Sequence, residues 1–344
     1  MRHVTLVQAP PGRSAMYASL VDLGGDELLC AFRTSTLDGS DPWTNLDDEI
    51  VCLRSLDGGQ TWPEDTLRPI YGDPAQHDYI ECPSVLLSNG DVLLVFYQVS
   101  PEHDEDDATT WRTRLLATRS SDRGETWTGP RVLPTPIVAP ASYGGIRRLR
   151  DGSLVLSHYG MVAGAAPGLS APALLRSRDE GQTWGEFAFI AYETELEQAP
   201  GVRGINETSV AELPDGRLVA MSRTYKPDYP LYRSVSDDGG RTWRFGPTAL
   251  HGLCPALIAT DGGRLVLAYH DRYLEHAEQG GVYVTTSGDA GESWAEPRFV
   301  SPGAYPCLLP RGEEILLAYY TNCTHLQATF VRPEDLPTAL EPPA

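Results

Sequence analysis

Two sets of residues that can carry acid/base and anion-binding chemistry recur at fixed distances from a glycine. Nine residues before the glycines at 25, 90, 152, 216, 263 and 312 stand Met16, Glu81, Tyr143, Glu207, Cys254 and Gly303. Six to eight residues after them stand Arg33, Tyr97, His158, Arg223, His270, Tyr319 and Tyr320. Carboxylates and imidazoles can move protons near neutral pH, and a guanidinium can hold a carboxylate with two parallel bonds. Such groups are rarely buried without partners. Singly, each can pair with a neighbour and plug a channel; as a set they favour a site. Glu81, His158, His270 and Tyr143 are therefore candidates for binding substrate, with His77 and Asp78 as further acid/base groups. The three histidines have no metal-ligand spacing, and neither a metal nor another cofactor is expected.

The glycines sit inside six copies of an apolar strand, a tight turn and a second apolar strand, such as PSVLLSNGDVLLVFY (83–97) and SVAELPDGRLVAMSR (209–223). Asp-Gly or Asn-Gly between apolar runs marks a hairpin. Antiparallel pairing sets the residues before each glycine beside those after it. Between the hairpins a polar octamer occurs five times: SLDGGQTW (55), SSDRGETW (120), SRDEGQTW (177), SDDGGRTW (236) and SGDAGESW (287). A hairpin plus an octamer turn makes one four-stranded blade, and the spacing fits an all-β, six-bladed β-propeller. Six hairpins but five octamers imply closure by the chain's own ends, THLQATFVRP (324–333) supplying one strand and RHVTLVQ (2–8) the next. The octamers read as turns held by Ser and Asp side chains, with Gly at positive φ and Trp packed between blades. They fall on the face opposite the residues of the first paragraph, far from any chemistry.

The chain has 344 residues, more than one hydrophobic core usually supports, and its repeats favour a single propeller domain over 1–344. Net charge is −20, a surface that repels nucleic acid and anionic membranes. An acidic substrate would need local arginines. No apolar run approaches the ~20 residues of a membrane span. The start, MRHVTLVQAPPGRSAM, has no apolar stretch after its charge, so a cytoplasmic location is expected, with secretion open if a leader has been trimmed. Six cysteines without metal spacing read as buried thiols.

Five octamers of S-x-D-x-G-x-T-W type in a six-bladed pattern resemble the Asp-box (BNR) repeats of the sialidase (neuraminidase) superfamily. The resemblance implies a tyrosine nucleophile polarised by a glutamate, an acid/base aspartate in an early loop, and arginines gripping a substrate carboxylate. NETSVAELPDGRLVAMSR matches the family's glutamate–hairpin–arginine element and gives Glu207 and Arg223 those roles. The early loop RTSTLDGSDPWTNLDDE offers Asp41, with Asp38, Asp47 and Asp48 as rivals. Arg272 in AYHDRY resembles a further arginine, and Tyr305 in GAYPCLL lies about two residues from the register of the family tyrosine. The first inner strand departs: MYASL puts Met16 where the first arginine belongs, and Arg33 stands as its substitute. The resemblance implies an exo-acting, retaining glycosidase on a terminal acidic sugar of a glycan or oligosaccharide. A lyase acting on uronate-containing chains and a non-catalytic glycan-binding propeller are the alternatives. Trp43, Trp111, Tyr79, Tyr225 and Tyr229 are placed in loops that can stack on sugar faces.

Overall fold

The structure, a computed structural model, describes residues 1–37, 47–75, 77–79, 83–99, 112–165, 168–193, 203–226, 228–271 and 280–337. Among them the chain is strand after strand, with two single-turn 3-10 helices, Glu64–Thr66 and Pro333–Asp335. No helix among the described residues is long and apolar enough to cross a membrane.

Every expected hairpin forms. Met16–Gly24 pairs with Glu27–Thr34, Ser84–Leu86 with Val92–Val99, and Val138–Arg148 with Leu154–Met161. Arg203–Glu212 pairs with Leu218–Thr224, Leu253–Ala259 with Leu265–Asp271, and Ala304–Arg311 with Glu314–Thr321. The turn glycines at 25, 90, 152, 216, 263 and 312 all lie at φ between +57° and +87°, the region only glycine enters without strain. The second strands are apolar at nearly every position because neighbours cover both faces; all eight residues of Val92–Val99 are buried. Leu20, Val85, Ile146, Ser209, Ala256 and Leu308, one from each first strand, line a common axial channel of about 230 Å³.

The strands fall into five hydrogen-bonded sheets of a propeller. Three have four strands and one has five. The eight-stranded sheet consists of two antiparallel groups joined by a short parallel seam, Leu169 with Arg203 and Ser170 with Gly204. Gly204 permits that seam, since a Cβ there would strike the Ser170 carbonyl. The ends close the ring as expected. Arg2–Gln8 pairs antiparallel with His325–Val331, the Arg2 guanidinium lies 3.7 Å from the Phe330 ring centre, and His3 Nδ1 meets Thr329 Oγ1 at 2.8 Å.

Each octamer is a folded turn. In the first, the Gly59 amide donates to Ser55 Oγ at 2.8 Å, the Thr61 amide to Asp57 Oδ1 at 2.8 Å, and Thr61 Oγ1 to Asp57 Oδ2 at 2.6 Å. The other four repeat these bonds. An arginine on the third strand of four successive strand groups reaches the next group's octamer. Arg54 meets Glu125, Arg119 the Glu180 carbonyl, Arg176 the Gly239 carbonyl and Arg233 the Ala290 carbonyl. The fifth group has no octamer to reach. There Thr286 Oγ1 donates to the Pro337 carbonyl at 2.6 Å, and Leu336 packs with Val284, Val300 and Val331. The segment after the last strand thus meets this group where the other four meet an octamer.

Candidate active site

The first strands do not start straight. Pairing slips between Met16 and Ser19, Ile205 and Thr208, Leu253 and Ala256, and Ala304 and Cys307. At three of these bulges a non-glycine residue adopts positive φ: Tyr17 at 59°, Cys254 at 52° and Tyr305 at 52°. Bulges re-aim side chains, and backbone strain of this kind gathers at functional sites. Here they turn Tyr17, Cys254 and Tyr305 toward the mouth where Glu207 stands.

Glu207 is the centre of the cluster and only 2% exposed. Its Oε1 accepts a hydrogen bond from the Tyr305 hydroxyl at 3.2 Å and one from Arg223 Nη1 at 2.9 Å. Its Oε2 is buried and has no partner among the described residues. A buried carboxylate oxygen left unpaired costs free energy, so it suits a group that awaits a donor. Burial disfavours the Arg223 charge more than any single neighbour favours it, but Glu207 with Tyr225, Cys254 and Tyr305 together outweigh that effect and hold the guanidinium firmly protonated. Arg223 also lies 5.0 Å from the centre of the Tyr225 ring. The Tyr225 hydroxyl accepts from Asn206 Nδ2 at 3.2 Å, and burial raises its pKa against the opposing pull of Arg223.

Tyr305 is caged by rings. Tyr17 meets it edge-on at 4.7 Å, Tyr320 stacks nearly parallel at 5.8 Å, and Tyr143 crosses it at 6.4 Å. His270 lies at 5.7 Å, and its Nδ1 accepts from the Tyr305 amide at 3.4 Å. Burial drives the Tyr320 pKa up, partly offset by a hydrogen bond with Tyr17. Beside the cage, Arg223, His270, Asp271, Tyr305 and Tyr320 line a cavity of about 280 Å³, the low end of small-molecule pockets.

The structure thus brings together Glu207, Arg223, Tyr305, His270 and Tyr143. Asp41, Glu81 and Arg272 lie outside the described residues, as do Asp38, Trp43 and Trp111. Two expected site residues are engaged by other groups. Arg33 is 0% exposed, its Nη2 bonded to both Asp48 oxygens at 2.7 Å. His158 is buried beside Phe187 with Nε2 at 2.7 Å from Thr135 Oγ1, away from the mouth; burial pulls its pKa down to about 4 and keeps it neutral. Asp48 is spent on Arg33, and Asp47 accepts from Arg13 at 2.6 Å and from the Thr36 amide at 3.0 Å. Tyr17 was missed. Uniform nine-residue counting selects Met16 and Gly303, whereas the bulges shift the inward positions to Tyr17 and Tyr305.

These features have counterparts in known proteins. The family model of the BNR repeat-like domain matches residues 26–251. A protein of unknown function from Dyadobacter fermentans superposes with a TM-score of 0.80 at 20% identity, over 96% of this chain and 98% of that one. A Hadza microbial sialidase gives 0.71 at 18%, over 94% of this chain and 66% of that one. The NanB sialidase of Streptococcus pneumoniae gives 0.71 at 14%, over 97% and 71%. No curated protein matches the sequence. The chain belongs to the BNR repeat-like domain family, with the β-propeller fold that sialidases of the neuraminidase superfamily share.

Proposed function

We propose that the protein is an exo-acting, retaining glycosidase that removes a terminal acidic sugar, with Tyr305 as nucleophile and Glu207 as its base. We read its five sheets as six blades, the eight-stranded sheet counting as two at its parallel seam. One observation carries the functional reading: Tyr305 and Arg223 both bond one buried oxygen of Glu207, at 3.2 and 2.9 Å. A glutamate in that position can take the phenol proton and leave a phenolate to attack. Arg223 favours the negative charge that results and offers a cation to an acidic sugar.

In the first step a bond forms between Tyr305 Oη and the anomeric carbon as the bond to the leaving oxygen breaks. The phenol proton passes to Glu207, and the leaving oxygen takes a proton from an acid, a role assigned to Asp41. Water then attacks the tyrosyl–sugar bond, and the protons return. Two inversions give retention, the tyrosine exception to the two-carboxylate scheme. Glu207→Gln and Tyr305→Phe are each expected to lower kcat by about 10²–10⁴-fold on fluorogenic acidic glycosides. The released sugar should keep its anomeric configuration when followed by proton NMR at early times. Undiminished turnover in Glu207→Gln removes the mechanism.

A further inference from the structure

The chain bends sharply at Tyr305. Ala304 pairs with Tyr320 and Cys307 with Ala318, so Tyr305 and Pro306 together face the single residue Tyr319. Two residues against one is a bulge, and the ladder is broken there. Tyr305 takes φ 52° within it. A tyrosine is strained at that angle, and the proline that follows pushes the residue before it toward extended, negative values. Such a conformation lasts only where its surroundings fix it. Pro306 has no amide proton, so Tyr305 supplies the one N–H of the bulge.

That N–H is given to a different sheet. His270 stands at the end of Leu265–Asp271, the second strand of the neighbouring hairpin, and is 6% exposed. Its Nδ1 accepts the Tyr305 amide in a long bond of 3.4 Å, with the two rings 5.7 Å apart and inclined at 38°. An imidazole nitrogen that accepts carries no proton, so the bond requires a neutral ring with its proton on Nε2. Tyr17, Tyr143 and Tyr320 bear on the Tyr305 phenol from its sides. His270 also bears on the backbone, at the residue whose angle is abnormal. The effect is felt at the far end of that side chain, where the hydroxyl reaches Glu207 Oε1 at 3.2 Å. A change of φ at Tyr305 would swing the whole phenol away from that oxygen.

We propose that His270 is a positioning residue for Tyr305: by taking the amide proton of the bulge, it holds the strained backbone that aims the phenol at Glu207. This role rests on the glycosidase reading only for what Tyr305 does to a sugar. What holds Tyr305 in place is independent of it.

Two variants of the full chain separate the acceptor from the ring. His270→Phe keeps a flat ring and removes the acceptor. His270→Asn gives up the ring but sets a carbonyl oxygen close to where Nδ1 stood. Crystal structures of both read the Tyr305 angle directly. The expected result is a negative φ at Tyr305 in His270→Phe, with Oη withdrawn from Glu207, and an angle near the original in His270→Asn. Turnover of 4-methylumbelliferyl N-acetylneuraminide and 4-methylumbelliferyl hexuronides should follow the angle. In His270→Phe kcat is expected to fall by about 10–100-fold while KM moves less than about threefold, and His270→Asn should recover most of the loss. A positive φ with the Glu207 contact intact in His270→Phe overturns the proposal, whatever the activity does. A rise in KM with kcat unchanged also overturns it, since His270 would then be a wall for the substrate. His270→Asn no better than His270→Phe in angle and in kcat overturns the acceptor role. A wild type that turns over none of these glycosides removes the glycosidase reading, and the Tyr305 angle in the two variants still decides the role of His270. If His270→Phe does not fold, His270→Leu serves as the variant without an acceptor. Nitrogen NMR of the wild type is an independent check: Nδ1 of His270 should be unprotonated at the pH of the assay, and a proton found there overturns the proposal.

Discussion

Arg33 and Glu207 occupy the same kind of place in the sequence, each at the end of an apolar strand, yet they end in opposite roles. Glu207 keeps one buried oxygen without a partner among the described residues, while Arg33 Nη2 is bonded to Asp48. A buried ion pair broken on one side typically costs about 3–5 kcal/mol, because the other charge stays behind. Arg33→Met and Asp48→Asn are each expected to destabilise by about that amount, and Arg33→Met with Asp48→Leu to recover most of it. Urea melts measure this; loss of substrate affinity without loss of stability would return Arg33 to the binding site. The comparison also shows how far residue-level reading reaches. Strand pairing sets Glu207 and Arg223 close together, at Ile205↔Thr224 and Thr208↔Ser222, so their meeting was legible from spacing alone. Whether an arginine is free or spent depends on what faces it, and nothing in the pattern around Arg33 names Asp48 as its partner rather than as a rival acid.

Elements whose bonds are local were readable in full. Every octamer closes within itself, so Ser, Asp, Gly and Thr at fixed offsets were sufficient to predict the turn. Its glycine does more than turn. A Cβ on Gly124 would strike Leu29 of the preceding sheet, whereas one on Gly90, at nearly the same positive φ, meets nothing within 4 Å. Gly90→Ala should therefore cost only the backbone strain, about 1–2 kcal/mol, and Gly124→Ala about 1–3 kcal/mol more, read from denaturant midpoints. The octamer aspartates carry an acid limit as well. Bonds from the Thr hydroxyl and amide pull the pKa of Asp57, Asp122 and Asp179 down to about 2 from 3.8. A depressed folded pKa gives stability that is complete above the unfolded value and lost as pH falls toward the folded one. Thermal stability is expected to drop between about pH 4 and pH 2, and less so in Asp57→Asn, which lacks one of these groups. The first-strand bulges were not legible, because the slip at Tyr17 or Tyr305 is set by packing across the mouth.

At the scale of the whole molecule the candidate site straddles the ring's own closure. Tyr17 belongs to the first hairpin and Tyr305 to the last, their rings 4.7 Å apart, and the pairing of Arg2–Gln8 with His325–Val331 ties the chain's start to the sheet that carries Tyr305. The closing sheet leans in turn on the segment after its last strand. Leu336, 3% exposed, joins Val284 and Val300 of one sheet to Val331 and Leu317 of the closing one. Placing a charge there removes apolar burial and buries an unpaired carboxylate, so Leu336→Asp should cost about 3–5 kcal/mol. Leu336→Ala keeps the segment apolar and should cost about 2–3 kcal/mol. If closure holds the nucleophile in its cage, Leu336→Asp will lose turnover several degrees below its melting transition, as the seam opens before the other blades. Leu336→Ala, milder at the same position, should show a smaller gap between the two temperatures. Activity that follows global unfolding in both variants would mean that the cage around Tyr305 does not open ahead of the rest of the fold.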